Sequence, residues 1–106
     1  MKLIETKILS ETQKPYWEDE TKTIIDRLEV SKYEKDNFII ELTDDYGLFT
    51  HKMDDKIKHK VIVKIFDNGN LVKRRLYWLG YDINKDFSNE ELIEKTFKLL
   101  NSSNLN

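Results

Sequence analysis

Asn68-Gly69 is the feature that most constrains what this chain can fold into. Both central residues of a type I′ turn need positive φ, which Asn and Gly tolerate best, and here the pair interrupts residues 57–79, IKHKVIVKIFDNGNLVKRRLYWL. A hairpin is expected. A two-residue loop sets its register by counting outward: Asp67 against Asn70, Phe66 against Leu71, Ile65 against Val72, and so on to Lys58 against Leu79. Because strand side chains alternate, one surface should hold Ile57, His59, Val61, Val63 and Ile65 with Val72, Arg74, Leu76 and Trp78. The reverse surface should hold Lys58, Lys60, Ile62, Lys64 and Phe66 with Leu71, Lys73, Arg75, Tyr77 and Leu79. The first reads as a core face, the second as a basic face with interleaved aromatics.

The segments before the hairpin are short apolar runs between turn-forming residues. Residues 2–9 read as a strand with Ile4, Thr6 and Ile8 on one side, broken by residues 10–20. Pro15 and the acidic Glu18-Asp19-Glu20 suit a loop or single helical turn at 15–20, and a strand is expected from about Thr23 to Tyr33. Its partner is residues 37–43, with Phe38, Ile40 and Leu42 on one face, reached through Glu34-Lys35-Asp36. Asp44-Asp45-Tyr46-Gly47 has the composition of a turn, and residues 48–53 form a further strand candidate. Connections this short exclude parallel crossovers.

After the hairpin the pattern changes period. Ser88 stands three residues before Glu91, the spacing of a capping box, and Phe87 can staple onto Leu92. A helix follows, its stripe of Leu92, Ile93, Thr96, Phe97 and Leu100 facing inward, with Glu91–Lys95 and Glu94–Lys98 as i, i+4 pairs outside. The expected fold is α+β: a twisted antiparallel meander of about five or six strands with one C-terminal helix on its apolar face. Residues 1–100 form a single domain in this reading, and 101–106 a frayed tail.

The formal charge of −2 conceals a polarisation. Residues 1–55 carry eight basic and fourteen acidic groups, whereas residues 56–81 carry seven basic and one acidic. The acidic half could present a negative surface to a nucleic-acid-binding protein, or the two halves could neutralise each other in the fold. Without cysteine there is neither a disulfide framework nor a thiolate metal site, which points to a reducing, cytoplasmic setting. No apolar run approaches the roughly 18 residues that span a bilayer, so no membrane partner is expected. Alanine is absent and lysine outnumbers arginine fifteen to three, the usage of an AT-rich coding sequence such as that of a phage or mobile element.

Signs of catalysis are few. His51 and His59 bracket Asp54 and Asp55, but not at a known ligand spacing. A nuclease-like arrangement could be drawn from Asp45 with Asp54-Asp55-Lys56, but nothing in the sequence makes those carboxylates converge on one cation. There is no cysteine nucleophile and no Gly-x-Ser-x-Gly elbow. Three glycines, at 47, 69 and 80, cannot build a phosphate-cradling loop. No enzyme activity, cofactor or metal is expected. What remains is binding. The basic hairpin face, Lys58, Lys60, Lys64, Phe66, Lys73, Arg75 and Tyr77, places Lys64 across from Lys73, a like-charge pair tolerated if solvent, nearby acids or an anionic partner offsets it. Its layout is similar to that of surfaces that stack and neutralise single-stranded nucleic acids. The leading expectation is a small non-catalytic protein acting through protein–protein contacts, an inhibitor or adaptor. A nucleic-acid-binding domain is the alternative, and an unpaired edge strand leaves homo-oligomers open.

Overall fold

A computed structural model describes residues 1–16, 19–50, 56–79 and 87–100, with the backbone alone at 14, 16, 19–22, 24, 46–50 and 56–59. Five strands, β1 (Lys2–Tyr16), β2 (Asp19–Lys35), β3 (Phe38–Thr50), β4 (Lys56–Asp67) and β5 (Asn70–Leu79), form one antiparallel sheet in chain order, followed by helix α1 (Asn89–Leu100). This is the expected α+β meander with its C-terminal helix.

The two hairpin turns at one end of the sheet follow directly from their residues. Asn68 and Gly69 have φ of 51° and 83°, and Asp36 and Asn37 have 49° and 69°, so both turns take the positive-φ conformations that suit the right-handed twist of the strands. The second turn lies one residue beyond its expected place.

The early strands are longer than their composition implied. β1 does not stop at residue 9 but runs on to Tyr16, and Pro15 sits within it. Proline is tolerated there because β1 is an edge strand, where a missing N–H need not break a ladder. No helical turn forms among the described residues of 15–20. β3 likewise runs through Asp44-Asp45-Tyr46-Gly47, and all four pair with both β2 and β4. Ladder pairing on two sides outweighs the local turn preference of these residues.

The helix begins as a capping box. Ser88 Oγ accepts from the Glu91 amide and Glu91 Oε1 accepts from the Ser88 amide, both at 3.2 Å. Glu91 is thereby used at the cap. Glu94 pairs not with Lys98 but with Lys35 of β2, at 2.5 Å. Leu92, Ile93 and Thr96 are buried against Ile40 and Leu42 of β3, Val61, Val63 and Ile65 of β4, Tyr33 and Leu79, with Phe38, Phe97 and Leu100 packed around them. Each aliphatic side chain so buried contributes about 1.5–3 kcal/mol relative to exposure. Burial pushes the Tyr33 hydroxyl above the ordinary tyrosine range, an effect partly offset by the hydrogen bond that Asn89 Nδ2 donates to it at 3.2 Å.

At 12 residues the helix is roughly 18 Å long. The molecule extends 48 Å along its longest axis, so much of the sheet lies beyond the helix. The sequence of the helix-side face changes accordingly. Past Tyr33 and Leu42, polar side chains enter this face: Ser31 bonded to Thr6 at 3.2 Å, Arg27 paired with Glu11 at 2.6 Å, and Glu29 opposite Asp44, with Ile8 and Ile25 among them.

One irregularity decides where the β5 side chains point. Asp67 pairs with Asn70 and Phe66 with Leu71, as expected, but Ile65 then pairs with Lys73. Val72 has no residue opposite and forms a β-bulge. From Lys73 onward every side chain lies on the face opposite to the expected one. Deleting Val72 should remove the bulge and leave residues 73–79 on their present faces. The expected cost is about 1 kcal/mol, read by urea denaturation. Had the pairing been regular, with Leu76 and Trp78 on the core face, the same deletion would turn those two residues out of the core and unfold the domain.

Candidate functional site

The seven hairpin residues expected to share one basic face are divided by the bulge. β4 follows the expectation: Val61, Val63 and Ile65 are buried, while Lys60, Ile62, Lys64 and Phe66 lie on the reverse, open face. β5 does not. Lys73, Arg75 and Tyr77 fall on the helix side, and Arg74, Leu76 and Trp78 on the open side. The continuous array of Lys58, Lys60, Lys64, Phe66, Lys73, Arg75 and Tyr77 is therefore corrected to two separate groups. The side chains of Lys58 and His59 lie outside those described. His59 stands opposite Leu79, not Trp78 as expected.

On the open face the register places charges in a cross-strand row. Glu5, Lys32, Glu41, Lys64 and Arg74 are successive neighbours from β1 to β5, with Lys32 Nζ 3.7 Å from Glu5 Oε1. Lys64 still meets a like charge, Arg74 in place of Lys73, but Glu41 flanks it on the other side. Two positions along, Lys60 Nζ lies 3.6 Å from Asp45 Oδ2. Among the acids of the adjacent strands, Glu41 takes part in this row and Glu29 does not, because it lies on the helix side.

Between these charged positions runs an apolar row. Val30, Thr43, Ile62 and Leu76 are successive neighbours, and Trp78, opposite Lys60, is 50% exposed. No described helix covers this face. Leu76 and Trp78, expected in the core, are its most accessible apolar side chains on β5 beyond the bulge.

The second group lies between β5 and α1. Arg75, Tyr77, Lys95, Lys98 and Leu99 line a groove of about 310 Å³. Thr96 Oγ1 donates to the Leu92 carbonyl at 2.7 Å, so its single proton is in use. Tyr77 Oη, 2.9 Å from that oxygen, must then be the donor, which anchors the tyrosine to the helix. Lys73, on the same face of β5, is 4% exposed, and its Nζ has no hydrogen-bond partner among the described residues.

The described acidic residues of the first half are divided: Glu29 and Asp44 lie on the helix side, Asp26, Glu34 and Asp45 on the open side, and Asp36 in a turn. Residues 51–55, which include His51, Asp54 and Asp55, lie outside the described residues, as does the tail 101–106. Among the described residues no three His, Cys, Asp or Glu side chains group to hold a metal ion, and no described helix is long and apolar enough to cross a membrane.

Trp78 and Leu76 carried a signal that alternation alone could not resolve, since both alternating sets of β5 mix apolar and basic residues. Nothing in the sequence joined Lys95 and Lys98 to the hairpin. No family model matches the chain, and comparisons with curated proteins and with solved structures also give no match.

Proposed function

We propose that this protein is a small non-catalytic binding module that meets a protein partner through the open face of its sheet. The observation that carries the reading is the half-exposed Trp78, set beside Leu76 and Ile62 on a face that no described helix covers. An aromatic anchor flanked by aliphatic side chains and bordered by polar residues is the composition of a protein-binding centre. The basic groups there also favour a protein over a nucleic acid. Lys32 and Lys60 lie near carboxylates and Lys64 stands beside Glu41, so the face offers a mixed pattern with little net field to draw a polyanion.

Its role as an inhibitor or adaptor from a phage or mobile element draws on the alanine-free, lysine-rich composition, and a cytoplasmic setting on the lack of cysteine. The exposed Leu3, Ile4, Ile8 and Leu9 on edge strand β1 support a second copy as another partner.

The test is to isolate a partner from extract, reconstitute the complex from purified components, and compare affinities. Trp78→Ala should weaken binding by at least about tenfold, and Arg75→Gln should leave it unchanged. Undiminished binding by a Trp78→Ala, Leu76→Ser double variant would dismiss the open face as the contact surface. Sedimentation of the protein alone distinguishes self-association.

A further inference from the structure

We infer that the groove between β5 and α1 binds a phosphate-bearing ligand. Three cationic side chains, Arg75, Lys95 and Lys98, line it, and among the described residues no acidic one does. The nearest acids on the helix are already engaged, Glu91 with the Ser88 amide and Glu94 with Lys35. Among the described residues, Arg75 and Lys98 have no ion-pair partner, while Lys95 lies over the Phe87 ring with its Nζ 4.9 Å from the centroid. Among its described lining residues the groove thus gathers three cations and no carboxylate, although Lys95 and Lys98 also border a depression that Glu90, Glu91 and Glu94 line, whereas the open face has alternating rows.

Lys73 is the independent observation. Its ammonium is sealed from water and lacks a hydrogen-bond partner among the described residues, although it lies on the same face of β5 as Arg75, roughly 7 Å along the strand. A buried charge acts through a medium less polarisable than water, so its field reaches further and adds to that of the three groove cations. An oxyanion in the groove would offset its three cations directly and Lys73, which does not line it, at longer range.

The chemistry of the lining sets the ligand class. Arg75 supplies a planar fork that fits two phosphate oxygens, and the two lysines supply point charges from the helix side. Tyr77 spends its proton on Thr96, so it offers the groove an acceptor oxygen and cannot contribute to anion binding as a donor. Recognition therefore rests on charge. The phosphate could belong to a free oligophosphate or to the backbone of a nucleic acid.

The groove and the open face are on opposite sides of the sheet, so the inference stands apart from the protein-binding reading. The experiment is an amide-shift titration of the whole chain at low salt, with inorganic pyrophosphate in one arm and a single-stranded oligonucleotide in the other. Saturable shifts are expected at residues 73–77 and 95–99. Binding should weaken at least tenfold in Arg75→Gln/Lys98→Gln, weaken also in Lys73→Met, and stay unchanged in Lys60→Gln/Lys64→Gln. Saturation by pyrophosphate supports a free oligophosphate site, and saturation by the oligonucleotide alone, with the same dependence on Arg75 and Lys98, supports a backbone site. Failure of both ligands to saturate, or equal weakening in the Lys60/Lys64 control, would overturn the inference.

Discussion

Leu92→Ala is expected to lower the free energy of unfolding by about 3–5 kcal/mol, measured by urea denaturation. Leu92 is fully buried in the first turn of α1, in the cluster formed by Ile40, Leu42, Val61, Val63 and Ile65. Truncating it loses the transfer energy of three carbons and leaves a cavity. The sheet beneath cannot close that cavity, because β3 and β4 are paired on both sides. A domain of this size has a total stability of about 5–15 kcal/mol, so the variant should melt roughly 12 °C or more below the parent. Leu71→Ala removes the same atoms from a half-exposed position and should change stability by no more than about 0.5 kcal/mol. A loss below 1 kcal/mol for Leu92→Ala would show that the helix does not seat on the sheet as described.

The same residues show which parts of the fold local sequence can specify. The capping box needs four consecutive residues and no tertiary partner, and it forms as Ser88 and Glu91 imply. The Asn68-Gly69 turn is equally self-contained, since its backbone angles follow from the two residues. The faces of β4 are legible because one alternating set, Val61, Val63 and Ile65, is wholly apolar, while the other mixes lysines with Ile62 and Phe66.

Where information must come from across the sheet, local reading falls short. Asp44 to Gly47 looks like a turn to a reader of the chain, but its backbone groups are satisfied by neighbours on two sides, including β4 residues 58–61. β5 is the clearest case. Val72, Arg74, Leu76 and Trp78 compete with Lys73, Arg75, Tyr77 and Leu79 for the core, and each set carries at least one cation. The bulge resolves the competition by admitting Tyr77, which reaches Thr96 on the helix, and Leu79. That contact joins residues 19 positions apart and has no short-range signature. The candidate site inherited the error, since a single bulged residue moved three of its seven members to the other side of the sheet.

Admitting Tyr77 and Leu79 also draws in Lys73, and from this follows the second large effect: Lys73→Met is expected to stabilise the protein by about 1–3 kcal/mol. Its ammonium has lost its water and found no hydrogen-bond partner among the described residues, so the folded state bears a desolvation cost that the unfolded chain does not. Methionine is an unbranched chain of similar length and can fill the same space without that cost. Alanine would be the wrong substitution, because it would exchange an unsatisfied charge for a cavity. Thermal and urea unfolding should both move upward in the methionine variant, while Arg75→Met, at an exposed position on the same face, should shift neither by more than about 0.5 kcal/mol. A destabilisation in Lys73→Met would mean that the ammonium is held by an interaction in the folded protein, and the groove would then lose its fourth uncompensated charge. A gain in stability accompanied by weaker phosphate binding would instead identify Lys73 as a residue whose cost to the fold is matched by its use at the groove.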